Sequence, residues 1–139
     1  MIARLFPETD GVELRGRLYS SGLKTDAAYH SSGNNRLTPF WVHLVNRTDW
    51  LMSEDSDSAG HIHYTYGIDI YLEWVGDPTA AIMKRFKCHT MWRNNTDDSF
   101  DRFDGWQAYE GTGTMGGLQF YFDSGDVASG FARIEGRTV

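Results

Sequence analysis

Hydrophobic and polar residues alternate over short stretches of this chain, which is the pattern of β-strands with one buried face. The most regular stretch runs from Leu118 to Asp123, where Leu, Phe and Phe alternate with Gln, Tyr and Asp. Two Ser-Gly pairs follow, Ser124-Gly125 and Ser129-Gly130, and glycine adopts turn conformations at no steric cost. A second strand-like run then returns from Phe131 to Glu135. The sequence therefore predicts a C-terminal β-hairpin.

Further strands are predicted by the same criterion along most of the chain. They cover residues 12–19, 40–45, 61–66, 68–74 and 105–110. In the fourth of these, one face carries Ile68, Ile70, Leu72 and Trp74. No stretch with the composition of a linker divides the strands. We therefore predict an all-β fold, in which residues 1–139 form one antiparallel β-sandwich domain with a jelly-roll-like topology.

One segment, residues 77–92, fits two structures. Asp77-Pro78 is typical of a helix start, and a helix would align Ile82, Phe86 and Thr90. A strand would place Phe86, Cys88, Thr90 and Trp92 on one face and Arg85, Lys87 and His89 on the other. The strand pattern is the longer and more regular of the two, so we predict a strand.

Composition and charge narrow the function. Aromatic residues make up 14% of the 139 residues, which is enough bulk for a core and argues against disorder. The formal net charge is −6 and no basic patch is evident, so nucleic-acid binding is not expected. No apolar run reaches the roughly eighteen residues of a transmembrane helix, so membrane insertion is not expected either. Cys88 is the single cysteine, which excludes an intrachain disulfide.

The candidate catalytic groups have the wrong spacing. Asp69 and Glu73 share a strand face, but four residues of strand span about 13 Å, whereas glycosidase carboxylates lie at most about 9.5 Å apart. His61 and His63 lie about 7 Å apart on one face, but the acid and the second histidine motif that complete a cupin-type metal site are missing. Cys88 and its neighbour His89 point to opposite faces. We predict a non-enzymatic protein with no cofactor and no metal site.

Aromatic residues beside polar ones indicate ligand binding instead. Sugars are held by C–H groups that stack on a ring and by hydroxyl groups that hydrogen-bond to carboxylates or amides. The candidate ligand-binding residues are Trp41, Trp50, Asp104, Trp106 and Tyr109. The alternative for each aromatic residue is a place in the core or in a contact between subunits.

Several segments follow one another in a recognisable order. Residues 7–22, PETDGVELRGRLYSSG, precede Tyr29, and residues 67–72, GIDIYL, precede a segment at 84–92. Residues 115–136, MGGLQFYFDSGDVASGFARIEG, close the pattern and are its most specific part. This order resembles the β-sandwich modules of tail fibres, head fibres and other appendages of tailed bacteriophages.

The chain departs from that family in two ways. Glu135 stands where the family usually has a tyrosine before its last glycine, and the family commonly has further strands ahead of the segment that starts here at Pro7. An open edge strand is a site for pairing with another chain. We therefore expect oligomerisation to complete the fold.

The resemblance implies a virion protein. We predict a non-enzymatic structural component of a phage or phage-like particle: a fibre, spike or decoration protein on the head, neck or tail. Its expected partners are further copies of itself in a symmetric homo-oligomer, other virion proteins and host surface polysaccharide. The alternative is a cellular carbohydrate-binding module or lectin-like domain.

Overall fold

Ten strands, and no helix, make up the part of the chain that a computed structural model describes. The described residues are 1–20, 22–35, 41–53, 67–75, 83–94, 99–111 and 114–135. The strands are β1 (Ile2–Pro7), β2 (Leu14–Tyr19), β3 (Tyr29–Asn35), β4 (Trp41–Arg47), β5 (Trp50–Leu51), β6 (Ile68–Val75), β7 (Lys84–Arg93), β8 (Phe100–Tyr109), β9 (Gly117–Phe122) and β10 (Val127–Arg133). The named strands pair antiparallel throughout. The predicted all-β, antiparallel fold is therefore confirmed.

The strands form two sheets that enclose a core. The larger sheet has the order β10-β1-β6-β7-β8-β3-β4, and the smaller has the order β5-β2-β9. Leu14 and Leu18 of β2 and Phe122 of β9 are buried in the same cluster as Ile70 of β6 and Phe86 of β7. This two-layer arrangement is consistent with the predicted β-sandwich. The jelly-roll-like topology and the single domain over residues 1–139 stay predictions.

Strand β7 confirms the strand prediction for the segment that fitted two structures. Buried and exposed residues alternate along its ten positions. The buried face carries Phe86, Cys88, Thr90 and Trp92, and the exposed face carries Arg85, Lys87 and His89. Residues 77–82 lie outside the described residues. Strand β6 follows the same rule, because Ile68, Ile70 and Leu72 are buried while Tyr71 is exposed.

A buried polar network ties the short strand β5 to the larger sheet. Gln107 of β8 is fully buried, and its Nε2 donates to the Leu51 carbonyl at 2.7 Å. Its Oε1 accepts a hydrogen bond from Ser31 Oγ at 2.5 Å, and Leu51 N donates to the same Ser31 oxygen at 3.3 Å. Trp50 Nε1 donates to the Ala108 carbonyl at 2.7 Å. These bonds satisfy polar groups that would otherwise be costly to bury, and they hold β5 against β8.

The predicted C-terminal hairpin is not confirmed. Both strands form, but β9 pairs with β2 in the smaller sheet and β10 pairs with β1 in the larger sheet. The turn between them passes from one sheet to the other, with Gly125 at a positive φ of 69°. Asp126 in this turn accepts a hydrogen bond from Glu8 N at 3.0 Å. Alternation determines which side chains face the core, but it does not encode which strand each one pairs with.

Three strands of the structure, β1, β3 and β5, have no counterpart in the sequence prediction. β3 reads Tyr-His-Ser-Ser-Gly-Asn-Asn and lacks an apolar alternation, and β5 has only two residues. The predicted strand at 105–110 is the second half of the longer β8. The predicted strand at 61–66 lies outside the described residues.

Candidate functional site

The five predicted ligand-binding residues do not lie together. Trp50 and Tyr109 are only 1% and 3% exposed. The Trp50 ring makes a T-shaped contact with Tyr29 at a centroid distance of 5.1 Å, and the Tyr109 hydroxyl donates to the Asp26 carboxylate at 3.0 Å. The structure therefore places these two aromatic residues in the core, which is the alternative considered for each of them.

Trp106 and Asp104 lie on the exposed face of the larger sheet, which we call the outer face. It consists of the side chains that point away from the core along the middle strands: Tyr71, Glu73, Arg85, Lys87, His89, Met91, Arg102, Asp104 and Trp106. Strand β8 places Asp104 and Trp106 two residues apart on this face, with about 7 Å between their Cα atoms. The Trp106 side chain is 41% exposed. Both residues are therefore accessible to a ligand.

Trp41 lies close to this face in the backbone register. It pairs with Asn34 of β3, and Asn34 pairs with Asp104 of β8. The Trp41 side chain lies outside the described part of the structure, so its contact with a ligand stays a prediction.

The charged side chains of the outer face form ion pairs with one another. Asp104 forms an ion pair with Arg102, whose Nε lies 3.2 Å from the carboxylate, and also contacts His89 Nδ1. Lys87 Nζ lies 3.6 Å from the Glu73 carboxylate. All five side chains are about half exposed, and exposed ion pairs contribute only about 0–1 kcal/mol. These groups are therefore held loosely and are able to exchange their partners for a ligand.

Strand β7 gives the outer face a stripe of basic side chains. Its exposed positions include Arg85, Lys87 and His89 in succession, and Arg102 of β8 pairs in register with Met91 of the same strand. The alternation within β7 predicts the shared face of Arg85, Lys87 and His89, whereas the addition of Arg102 depends on the pairing of β7 with β8.

A second surface feature is the edge strand β10. Within the described residues it pairs with β1 and ends the larger sheet. All but one of its residues are exposed, and Phe131 is 59% exposed. Ala132 is exposed although it pairs with Ala3, which is buried in the core. The smaller sheet therefore does not cover the side chains of β10 that point to the core side of the larger sheet.

An open concavity of about 520 Å³ adjoins the outer face near the start of β8. It is lined by Asn34, Met91, Phe100, Asp101 and Arg102. Asp101 is buried in its wall and accepts a hydrogen bond from Asn94 Nδ2 at 3.0 Å. The concavity extends the accessible surface beside Asp104 towards the end of the sheet.

Three titratable side chains, Cys88, Tyr109 and Tyr121, keep their protons at neutral pH. Burial raises the pKa of the Cys88 thiol to about 12. Burial, reinforced by a hydrogen bond to a carboxylate, raises the pKa of Tyr109 and of Tyr121 to about 12 each. All three therefore stay protonated, and a protonated thiol is a poor nucleophile.

Two negative observations apply to the described ranges only. They contain no group of three His, Cys, Asp or Glu side chains placed to hold a metal ion. They also contain no helix with the length and apolar character needed to cross a membrane. His61 and His63 lie outside these ranges, so their pairing is not described.

No protein-family model, curated protein or solved structure matches this chain.

Proposed function

We propose that this chain is a non-enzymatic structural subunit of a phage or phage-like particle: a fibre, spike or decoration protein on the head, neck or tail. The observation that carries the proposal is β10, which among the described strands ends the larger sheet and is exposed on both faces. The order of sequence segments that resembles phage appendage modules supports the same class. In the particle, the subunit forms a symmetric homo-oligomer in which β10 contacts another copy, and it also contacts other virion proteins.

Strand β10 has two of the features that usually keep an edge strand from pairing, namely Arg133 and a register shift against β1 near Ala128, but it lacks others. These others include lysine, proline and a very short strand. β10 has seven residues, VASGFAR, with no lysine and no proline. Two of its exposed side chains, Val127 and Phe131, are large and apolar. Pairing with a strand of another chain would bury these apolar side chains and would also give the outward-facing N–H and C=O groups of β10 hydrogen-bond partners. This edge therefore suits a subunit of an assembly better than an isolated domain.

Light scattering after size-exclusion chromatography tests this proposal. We expect the wild type to be an oligomer at micromolar concentration and Phe131→Lys to be a monomer, because the variant places a charge in the contact. Phe100→Lys is the matched control, since Phe100 is also exposed but lies on β8, away from the β10 edge. Thermal unfolding checks that both variants are folded. A monomeric wild type contradicts the proposal, and so does an oligomer that survives Phe131→Lys.

A cellular carbohydrate-binding module or lectin-like domain is the second candidate. Trp106 and Asp104 on the outer face favour it, because an exposed indole beside a carboxylate suits the binding of a sugar. The oligomeric state separates the two candidates. A stable monomer that binds a sugar through Trp106 supports the second candidate and contradicts the first. An oligomer with the same sugar site supports a particle subunit whose outer face contacts host surface glycans.

A further inference from the structure

We infer that the outer face around Trp106 binds a polysaccharide that carries carboxylate groups. This inference rests on the glycan contact in the proposed function and adds the chemical class of the glycan. The observation behind it is the juxtaposition of an exposed indole with the cations of β7 on one sheet face.

The register of the sheet places aromatic and cationic groups side by side. Trp106 pairs directly with Lys87 of β7, and the Cβ atoms of such cross-strand pairs lie about 5 Å apart. On its other side, Trp106 pairs with Ser32 of β3, whose side chain is small. A sugar ring that stacks on the indole therefore finds room beside Ser32 and has the Lys87 ammonium within reach of its carboxylate.

Basic side chains continue along β7 in both directions from this point. Arg85, Lys87 and His89 occupy alternate positions, about 7 Å apart along the strand. The stripe belongs to a chain whose formal net charge is −6, so its basic character is local. A linear acidic polymer that lies along β7 meets the cationic side chains of Lys87 and Arg85 at successive positions.

Two carboxylates within the stripe favour a polysaccharide over a nucleic acid. Glu73 pairs in register with Lys87, and Asp104 pairs with His89. Each sugar ring carries several hydroxyl groups that donate hydrogen bonds to such oxygens, whereas the phosphate groups of a nucleic-acid backbone carry only acceptors. Asn34, which is exposed and pairs with Asp104, adds an amide for the same purpose.

Isothermal titration with polygalacturonate tests the inference, because this polymer carries a carboxylate on each sugar. Its fully methyl-esterified form has the same backbone without the charge. We expect the wild type to bind the acid form at least about tenfold more tightly than the ester. Trp106→Ala and Lys87→Ala should each weaken binding by about tenfold. Tyr19→Ala is the control, since Tyr19 is a half-exposed aromatic residue of the smaller sheet.

The possible outcomes separate this inference from the proposed function. Weakened binding in Trp106→Ala and Lys87→Ala, with Tyr19→Ala unchanged and all variants folded, supports it. Equal affinity for the acid and ester forms overturns the acidic class but leaves the glycan contact standing. An oligomeric wild type that binds neither polymer overturns the inference and leaves the subunit proposal intact. Binding of poly(dT) in place of polygalacturonate overturns it in favour of a nucleic acid.

Discussion

Gly105 and Gly33 allow β8 and β3 to approach closely beneath the ring of Phe103. A methyl group added at Gly105 would lie 2.3 Å from the Ser32 carbonyl oxygen and 2.5 Å from Gly33 Cα. These are backbone atoms within a sheet, so one strand must move to make room. Packing alone therefore requires glycine at position 105.

We predict that Gly105→Ala lowers the free energy of unfolding by about 1–3 kcal/mol, the usual cost of overpacking a tight site. Urea denaturation measures the change. Gly116→Ala is the matched control, because its added methyl group would meet its nearest atom at 3.4 Å, an ordinary contact distance. Equal stability of the two variants would show that the β3–β8 contact is not tight.

Tyr109 and Tyr121 make the stability depend on pH. Burial, followed by a hydrogen bond to Asp26 or Asp49, raises the pKa of each hydroxyl to about 12. The pKa of tyrosine in an unfolded chain is about 10, so the unfolded state loses these protons first as the pH rises. The stabilisation is therefore complete below about pH 10 and is lost as the pH rises towards about 12.

We predict that the free energy of unfolding falls between about pH 10 and pH 12, and that Tyr121→Phe reduces this fall. Urea denaturation at several pH values gives the dependence. Tyr71→Phe, at an exposed ring on the outer face, is the control and keeps the wild-type slope. The explanation fails if the two variants show the same pH dependence.

Residue type alone does not distinguish a binding aromatic residue from a core one. Trp50 and Trp106 both have an aspartate within two positions before them, and both qualify as sugar-binding candidates by sequence. Trp50 is buried because β5 turns it towards the core, whereas β8 turns Trp106 outwards. The sequence therefore predicts which residue types could bind a sugar. The stacking of the two sheets determines which of these residues are exposed to a ligand.

At the scale of elements, strands with a regular alternation are predictable and polar strands are not. β7 alternates along its whole length and is predicted correctly. β3 is too polar for that criterion, because its buried Ser31 is satisfied by Gln107 of β8 rather than by apolar packing. The alternation of hydrophobic and polar residues also does not predict which strand each strand pairs with. β9 and β10 resemble a hairpin, yet each pairs with a strand that lies far from it in the chain.

The polar network around β5 gives a prediction at this scale. Gln107→Leu removes the partners of Ser31 Oγ and of the Leu51 carbonyl, so we expect the free energy of unfolding to fall by about 1–3 kcal/mol. Chemical denaturation measures it. Gln119→Leu, at an exposed position of β9, is the control with the same change of side chain. A Gln107→Leu variant as stable as this control would mean that the network does not stabilise β5.

At the scale of the whole molecule, the outer face and the β10 edge belong to one continuous surface. A row of paired residues runs across the larger sheet through Asp104, His89, Tyr71, Ile2 and Arg133. If β10 pairs with a second copy, the outer faces of both copies lie on one extended sheet. Two linked sites raise the apparent affinity for a polymer beyond that of either site, which suits a particle that attaches to a polysaccharide surface.

The central claim is that β10 pairs with another copy of the chain. Residue-resolved amide hydrogen exchange at low and high protein concentration tests it most directly, because edge pairing protects amide groups that otherwise face water. The proposal predicts that outward-facing amides of β10 gain protection as the concentration rises, while those of β4 and β9, which also end their sheets, do not change. In the Phe131→Lys variant, the protection of these amides should not rise with protein concentration. If the amides of β10 exchange at the same rate at both concentrations, the claim is contradicted.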